Sequence, residues 1–385
     1  MTKINGSALT GAAAKEFTRR SLLATAATVG AATALAPLYV RRAFASGGEL
    51  NILCWADEIP QDIVDDFGSK TGITINKTPF SSNEEQLNKM QATFGEGYDL
   101  CMPSFNRASE FQFVEVLQAY DESKLNLGAY QPSILKASAD LWTWDGLYHV
   151  PHVWGAEALA WKADAGDLSY AESSYGLLWD PAYQGKVQMR AVSGLLGLGL
   201  WLDATGKLPS NRMLDTYKSE DQMRKVYDEI VAYAISHKAQ LKQFWDSADS
   251  IRAGFQENGC VLGLTWDGPA KKLIKEKGDM VFMAPKEGAL TWMDGFAMSA
   301  AAKNIDEVYA FLTYLQTPEV AGKVAASTSY NATVVGADEF VPEVDRALFQ
   351  AAYPGDALDR LWWYPAAPAW FNPIRNTYAE RWRVS

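Results

Sequence analysis

Cysteine and histidine are scarce in this chain, with three of each among 385 residues. Cys54, Cys101 and Cys260 are too few for a disulfide framework, and no C-x-x-C occurs. Each lies in an apolar run such as Ile52-Leu53-Cys54-Trp55, the setting of a buried thiol. His149, His152 and His237 lack the spacing of metal ligands, although His149 and His152 would supply two if they converged. No metal or cofactor is expected. Positive charge is also in short supply: 35 Lys and Arg stand against 46 Asp and Glu, a net −11. The first 45 residues hold six of the basic residues and one acid, Glu16. The remainder therefore carries 29 basic and 45 acidic residues, a net −16. Such a charge argues against nucleic acid or an anionic membrane as partner and is compatible with attracting cationic solutes. The chain has no G-x-S-x-G, no H-E-x-x-H and no phosphate loop. An enzyme is therefore not expected. The alternative, a secreted hydrolase using Asp57 and Asp294 as a carboxylate pair, rests on two acids that suit cation binding equally well.

The N-terminus carries a positive signal. Thr18-Arg19-Arg20-Ser21-Leu22-Leu23 leads into a weakly apolar run to Val40, followed by Ala43-Phe44-Ala45. Twin arginines, an apolar h-region and an A-x-A site in that order read as a twin-arginine export signal, with cleavage expected after Ala45. The run is mostly Ala, Thr and Gly, too weakly apolar for a permanent span. A periplasmic location follows. The remaining 340 residues suggest two domains, with no repeat and no second hydrophobic span.

Along that remainder, apolar runs alternate with helical patterns. Glu49–Trp55 reads as a buried parallel strand. A helix follows with Pro60 near its first turn and Ile63, Val64 and Phe67 on one face, ended by Gly72. Ile73–Thr78 is a strand, Glu84–Phe94 a helix and Tyr98–Pro103 a strand. This β-α-β-α-β order implies an α/β fold with a parallel sheet covered on both faces. Tyr148–Pro151 and Glu157–Trp161 read as two extended runs flanking Trp154-Gly155. Asp221–His237 is an amphipathic helix, Gly259–Trp266 a strand ending in a turn at Asp267-Gly268-Pro269, Met280–Ala284 a strand and Asp306–Leu315 a helix.

Trp55-Ala56-Asp57-Glu58-Ile59-Pro60, with Phe67 and Thr71-Gly72-Ile73, resembles the opening of the bacterial spermidine/putrescine-binding proteins. Ser82-Asn83-Glu84, Tyr98-Asp99-Leu100, Pro103-Ser104, Val150-Pro151, Trp154-Gly155 and Leu262-Gly263 follow at the family's distances. So do Trp266, Pro285-Lys286-Glu287-Gly288 and Trp292-Met293-Asp294, and the likeness runs from about Leu50 to Tyr330. The resemblance implies an extracytoplasmic solute-binding protein of an ABC importer, a monomer working with a membrane permease. It implies two α/β lobes of the periplasmic-binding-protein fold. Lobe 1 would comprise residues 46–153 plus 290–332, and lobe 2 residues 154–289 plus 333–385. Hinges would lie at His152–Ala156 and Ala289–Met293, with a third crossing after Tyr330. A receptor subunit for a chemosensor would look the same.

The resemblance also implies a site. Asp294 and Asp57 occupy acid positions; Trp55, Trp266, Trp292 and Tyr330 match residues that line the cleft; Ser104 matches a polar contact. The chain departs from the polyamine pattern at the other end. The segment Lys186–Leu196 contains no Asp or Glu, Val192 and Leu195 fall where acids are expected, Arg190 is nearby, and Pro269 replaces a further acid. A long diamine would leave its second ammonium unpaired there. These departures point to a small cationic or zwitterionic amine, such as an ω-amino acid or a betaine-like compound held in a cage of Trp55, Trp266 and Trp292. Arg190 would then take an anionic end, or else serve only in a salt bridge. Asp267, Asp246 and Asp249 are possible replacement acids that keep plain polyamine binding as the alternative. Most of the cluster Trp362, Trp363, Tyr364, Trp370, Phe371 and Trp382 is expected to pin the C-terminal helices, with one of Trp362, Trp363 or Tyr364 a candidate for the cleft.

Overall fold

β1 (Glu49–Trp55) is apolar at most positions because a strand pairs along each of its edges. The structure, a computed structural model, describes residues 48–385; the expected export signal lies outside the described residues. The other strands, in chain order, are β2 (Thr74–Phe80), β3 (Leu100–Cys101), β4 (Leu117–Gln118), β5 (Val150–Lys162), β6 (Val187–Met189), β7 (Leu241–Phe244), β8 (Leu262–Trp266), β9 (Met280–Met283), β10 (Leu290–Ser299), β11 (Asn331–Ala332) and β12 (Trp362–Trp363).

Their order is β2-β1-β3-β10-β5-β8-β6-β7. At one end β2, β1 and β3 run parallel; at the other, β7, β6 and β8 do. β10 and β5 lie between them and run antiparallel to each other, β10 also antiparallel to β3 and β5 to β8. Each parallel set has its own core. One gathers Ile63 and Phe67 of helix Gln61–Thr71, Met90 of helix Asn83–Thr93, and Val308 and Phe311 of helix Ile305–Leu315 around β1 and β3. The other gathers Leu195 and Leu198 of helix Ala191–Ala204, Ile230 of helix Glu220–Ser236, and Tyr378 and Trp382 of helix Phe371–Val384 around β6 and β8. The result is a two-lobed α/β architecture whose outer strands are parallel and whose crossing strands are not.

Local chemistry sets the element ends. Pro60, extended at φ −61, precedes helix Gln61–Thr71, and Gly72 at φ 74 closes it by donating its N–H to the Gly68 carbonyl at 2.8 Å. Ser82 caps helix Asn83–Thr93 by accepting from the Glu85 N–H. Two expectations are corrected. The two extended runs around Trp154 are one strand, β5, with twelve of its thirteen residues buried. Asp267-Gly268-Pro269 is the first turn of helix Asp267–Lys277 and not a turn between strands, because a proline near a helix N-terminus forfeits only an N–H that has no partner there.

β5 pairs with β10 from Glu157↔Leu290 to Val150↔Phe296, and the register slips between Asp294 and Gly295. β11 joins the same place, pairing Asn331 with Trp154 and Ala332 with Val153. The three segments expected to cross between the parallel sets are therefore hydrogen-bonded neighbours. Gly155 allows their close approach: a Cβ there would stand 2.5 Å from Asp267 Oδ1 and 2.5 Å from the Trp292 ring. The three cysteines are free and buried. Burial pushes the Cys54 thiol up to about 11. Among the described residues no helix is long and apolar enough to cross a membrane.

Candidate functional site

The C-terminal ends of the parallel strands face a common cleft, and the residues just beyond them supply its walls. Trp55 ends β1, and the next turn carries Asp57 and Glu58. Ser104 follows β3; its N–H donates to Asn83 Oδ1 at 3.1 Å, and Asn83 Nδ2 donates to Ser104 Oγ at 2.9 Å. Ser104 also forms a bridge with Asp294, which lies in β10 at the register slip. From the other side come Trp266 at the end of β8, Arg190 at the N-cap of helix Ala191–Ala204, and Glu157 from the middle of β5. Between them is a cavity of about 80 Å³. Open α/β sheets place ligands in this position.

All eight residues singled out in the sequence line this cavity: Trp55, Asp57, Ser104, Arg190, Trp266, Trp292, Asp294 and Tyr330. The aromatic rings are also braced from behind. Trp55 packs on Phe80 at 4.5 Å, Trp266 on Trp245 at 4.9 Å, and Trp292 edge-on against Tyr330 at 4.9 Å. Each of the three tryptophans is only partly buried, so each offers a face to the cleft. Tyr330 donates its hydroxyl to Asp57 Oδ2 at 2.9 Å, fixing that carboxylate.

Glu58 was not anticipated. It is 3 % exposed and lies against Asp294, which is 4 % exposed. Burial first, then the charge of Asp294 and a hydrogen bond between the two carboxyls, holds Glu58 well above the ordinary carboxylic range. Burial also raises Asp294, to about 6; hydrogen bonds from Glu58 and Ser104 pull it down, Asp57 pushes it up and Arg190 pulls it down. Glu58 Oε2 and Asp294 Oδ1 have no donor among the described residues unless a proton sits between them. Two carboxyls at this distance from water share one proton for the reason that any close carboxyl pair does. Trp55 Nε1 and Trp292 Nε1 are buried donors that also lack a partner. The site therefore presents unused polar atoms of both kinds. Other buried side chains, among them Trp179, Trp382 and Tyr120, also hold a polar atom without a partner among the described residues.

Glu157 was also not anticipated. It is 2 % exposed; its Oε1 accepts from Trp266 Nε1 at 2.9 Å and lies 3.4 Å from Arg190 Nη1. Arg190 therefore lines the cavity and also lies within salt-bridge distance of Glu157. Glu157 corrects the expectation that this end lacks an acid: the carboxylate comes from the crossing strand and not from the Lys186–Leu196 segment. The proposed substitutes do not line the cavity. Asp267 is spent on Lys271 at 3.3 Å and Asn331 at 3.1 Å, Asp246 on Arg383 at 2.5 Å, and Asp249 starts helix Ala248–Gln256. One sequence signal could have found Glu157: it is the lone acid in the otherwise apolar run of β5. Glu58 had none beyond its place next to Asp57.

His149 and His152 do not converge on a metal. No group of three or more His, Cys, Asp or Glu able to hold one exists among the described residues. They support the site loops instead. His149 Nε2 donates to the Pro103 carbonyl at 3.2 Å, beside Ser104, and His152 Nε2 donates to the Glu58 carbonyl at 2.9 Å. Burial holds them down, to about 3 and about 4, so both remain neutral props. Of the C-terminal aromatics, Tyr364 reaches the cavity, while Trp362 and Trp382 are buried in the second core.

Residues 62–347 match the family model described as bacterial extracellular solute-binding protein. The spermidine/putrescine-binding periplasmic protein of Escherichia coli (strain K12) is 26 % identical over 308 residues, covering 77 % of this chain and 82 % of that one. The putrescine-binding periplasmic protein PotF of the same organism is 29 % identical over 300 residues, covering 73 % and 76 %. Among solved structures, the spermidine/putrescine ABC transporter substrate-binding protein PotD of Streptococcus pneumoniae superposes with a TM-score of 0.68 at 22 % identity, covering 88 % and 99 %.

Proposed function

The chain belongs to the bacterial extracellular solute-binding proteins, and from that premise we propose that it captures a small amine in the cleft between its lobes and delivers it to a membrane permease. Membership makes it a solute-binding component of an ABC importer, acting outside the cytoplasm, and its relatives are binding proteins and not enzymes. The finer reading concerns the ligand. An ammonium leaving water needs carboxylates in exchange and aromatic faces around its methylenes. Asp294, Glu58 and Asp57 offer the first, and Trp55 and Trp292 the second. The observation that carries this reading is the buried carboxyl pair of Glu58 and Asp294 on the wall of a cavity that Trp55, Trp266 and Trp292 also line. An ammonium entering there replaces the shared proton and pairs both oxygens.

The ligand's other end faces Arg190, which favours a zwitterion. A second reading, a plain polyamine, is favoured by Glu157 at that same end and by what the curated relatives are named for. Calorimetric titration with putrescine, spermidine, 4-aminobutyrate and glycine betaine tests the amine reading. Asp294→Asn should weaken every amine that binds by roughly 2–5 kcal/mol, the range for removing one partner of a buried charge pair. If no amine binds the native protein, or if the variant binds as tightly, the reading fails.

A further inference from the structure

Two opposite charges, Glu157 and Arg190, share the cavity wall, with Glu157 four residues along β5 from Val153, the partner of Asp294. Glu157 Oε1 takes the indole N–H of Trp266 at 2.9 Å and the long contact from Arg190 at 3.4 Å, whereas Glu157 Oε2 is buried with no partner among the described residues. Arg190 commits one N–H to that contact, and its guanidinium lies 5.7 Å from the centre of the Trp266 ring. The remaining donors of the planar fork have no partner among the described residues, and the side chain is 27 % exposed on the cavity wall. The other cations nearby are already engaged: Arg107 with Glu84 at 3.1 Å and Glu110 at 2.5 Å, and Arg375 with Glu84 at 3.5 Å.

A plain diamine would satisfy Glu157 with its second ammonium and then lie against Arg190. An ω-amino acid would satisfy Arg190 with its carboxylate and then lie against Glu157. Either ligand leaves one charge facing a like one, which costs several-fold in affinity. One carbon bearing both an ammonium and a carboxylate answers both. We propose that the cleft is built for an α,ω-diamino acid. Its ω-ammonium sits at Asp294 and Glu58, its α-ammonium on Glu157 Oε2, and its α-carboxylate on the guanidinium fork of Arg190, a planar match that lysine could not offer. This rests on the amine reading of the Asp294 end. It also explains how a chain related to diamine binders carries an arginine in the cleft: the ligand is a diamine with one carboxylate added.

The test is calorimetric titration of the purified protein with L-ornithine, L-lysine and 2,4-diaminobutyrate, against three probes that each lack one group of ornithine. Putrescine lacks the carboxylate, 5-aminovalerate the α-amine and L-norvaline the ω-amine. The tightest diamino acid should exceed each probe by about tenfold or more, since every probe strands a buried group. Arg190→Ala should lower ornithine to the level of putrescine without weakening putrescine. Glu157→Gln should lower it to the level of 5-aminovalerate. If putrescine or 5-aminovalerate matches or exceeds all three diamino acids on the native protein, the diamino-acid assignment is overturned while the amine reading stands. If nothing with an ω-amine binds, the amine reading itself is lost. The native protein alone decides, so a variant that fails to fold does not rescue the proposal.

Discussion

Asp294 shows how a single residue trades stability for affinity. Its carboxyl titrates near 6 because burial penalises the charged form, against an ordinary value of 3.8. The raised value means that the folded protein holds this proton more tightly than the unfolded chain. The stabilisation from that proton is complete below the unfolded value and is lost as pH rises through about 6. Without an amine, Asp294→Asn should therefore be more stable than the native protein at pH 8, by roughly 1–3 kcal/mol, since each tenfold change in proton affinity is worth about 1.4 kcal/mol. The gap should close by pH 4. Denaturant midpoints at the two pH values measure this, and a gap independent of pH would remove the carboxyl pair as its cause. Ligand affinity has the opposite sign: it should fall as pH drops through about 6 and Asp294 takes up its proton. Asp294 and Asp57 were legible in the sequence through the family resemblance of Trp292-Met293-Asp294 and Trp55-Ala56-Asp57. Glu58 and Glu157 were not, because the reach of a side chain depends on which face of a turn or strand it takes. Glu157 reaches the cleft only because β5 crosses from one lobe to the other.

At the scale of elements, the crossing strands carry the site as much as the loops do. β10 contributes Trp292 and Asp294, β5 contributes Glu157 and the histidine that holds the Glu58 carbonyl, and β11 follows directly on Tyr330. The slip between Asp294 and Gly295 falls where β10 lines the cavity, and bulges are common near binding sites. Their close packing depends on Gly155, where a methyl group would meet the buried, fully bonded Asp267 and the Trp292 ring. Gly155→Ala should cost about 1–3 kcal/mol, the range for overpacking, and should weaken amine binding by displacing Trp292. Denaturation and titration of the same preparation check both, and a variant unchanged in each would show that the strands have slack. Helices and strands at the β2-β1-β3 end of the sheet were legible because their β-α-β run carries local signals such as Pro60 and Gly72, whereas β6, β7 and helix Ala191–Ala204 at the other end were not anticipated. The first turn of helix Asp267–Lys277 was not, since Asp-Gly-Pro is turn chemistry until a strand feeds it directly into a helix.

For the whole molecule, two cores on either side of one cleft need a reason to stay apart when empty and to close when filled. The charge distribution supplies one. Closure on an empty cleft would take the half-buried Asp57 further from water, beside the already buried Glu58 and Asp294, with no cation among them, and uncompensated buried charge is expensive. A bound ammonium reverses that term, so the ligand favours the closed form through contacts that the open form lacks. Under the proposed closure, rotation would be absorbed where β5, β10 and β11 run side by side, near His152–Ala156 and Ala289–Met293, close to the cavity-lining residues Trp292 and Asp294. The net charge of −16 beyond the first 45 residues adds a long-range attraction for cations that salt screens. Small-angle scattering should therefore show the radius of gyration falling when the tightest-binding amine is added to saturation. Arg190→Ala should still close on putrescine, because the Asp294 end drives the change, whereas Asp294→Asn should stay open at the same ligand concentration. A radius that does not move at saturation would mean a rigid pocket. A radius that falls equally in Asp294→Asn would place the driving contact elsewhere in the cleft.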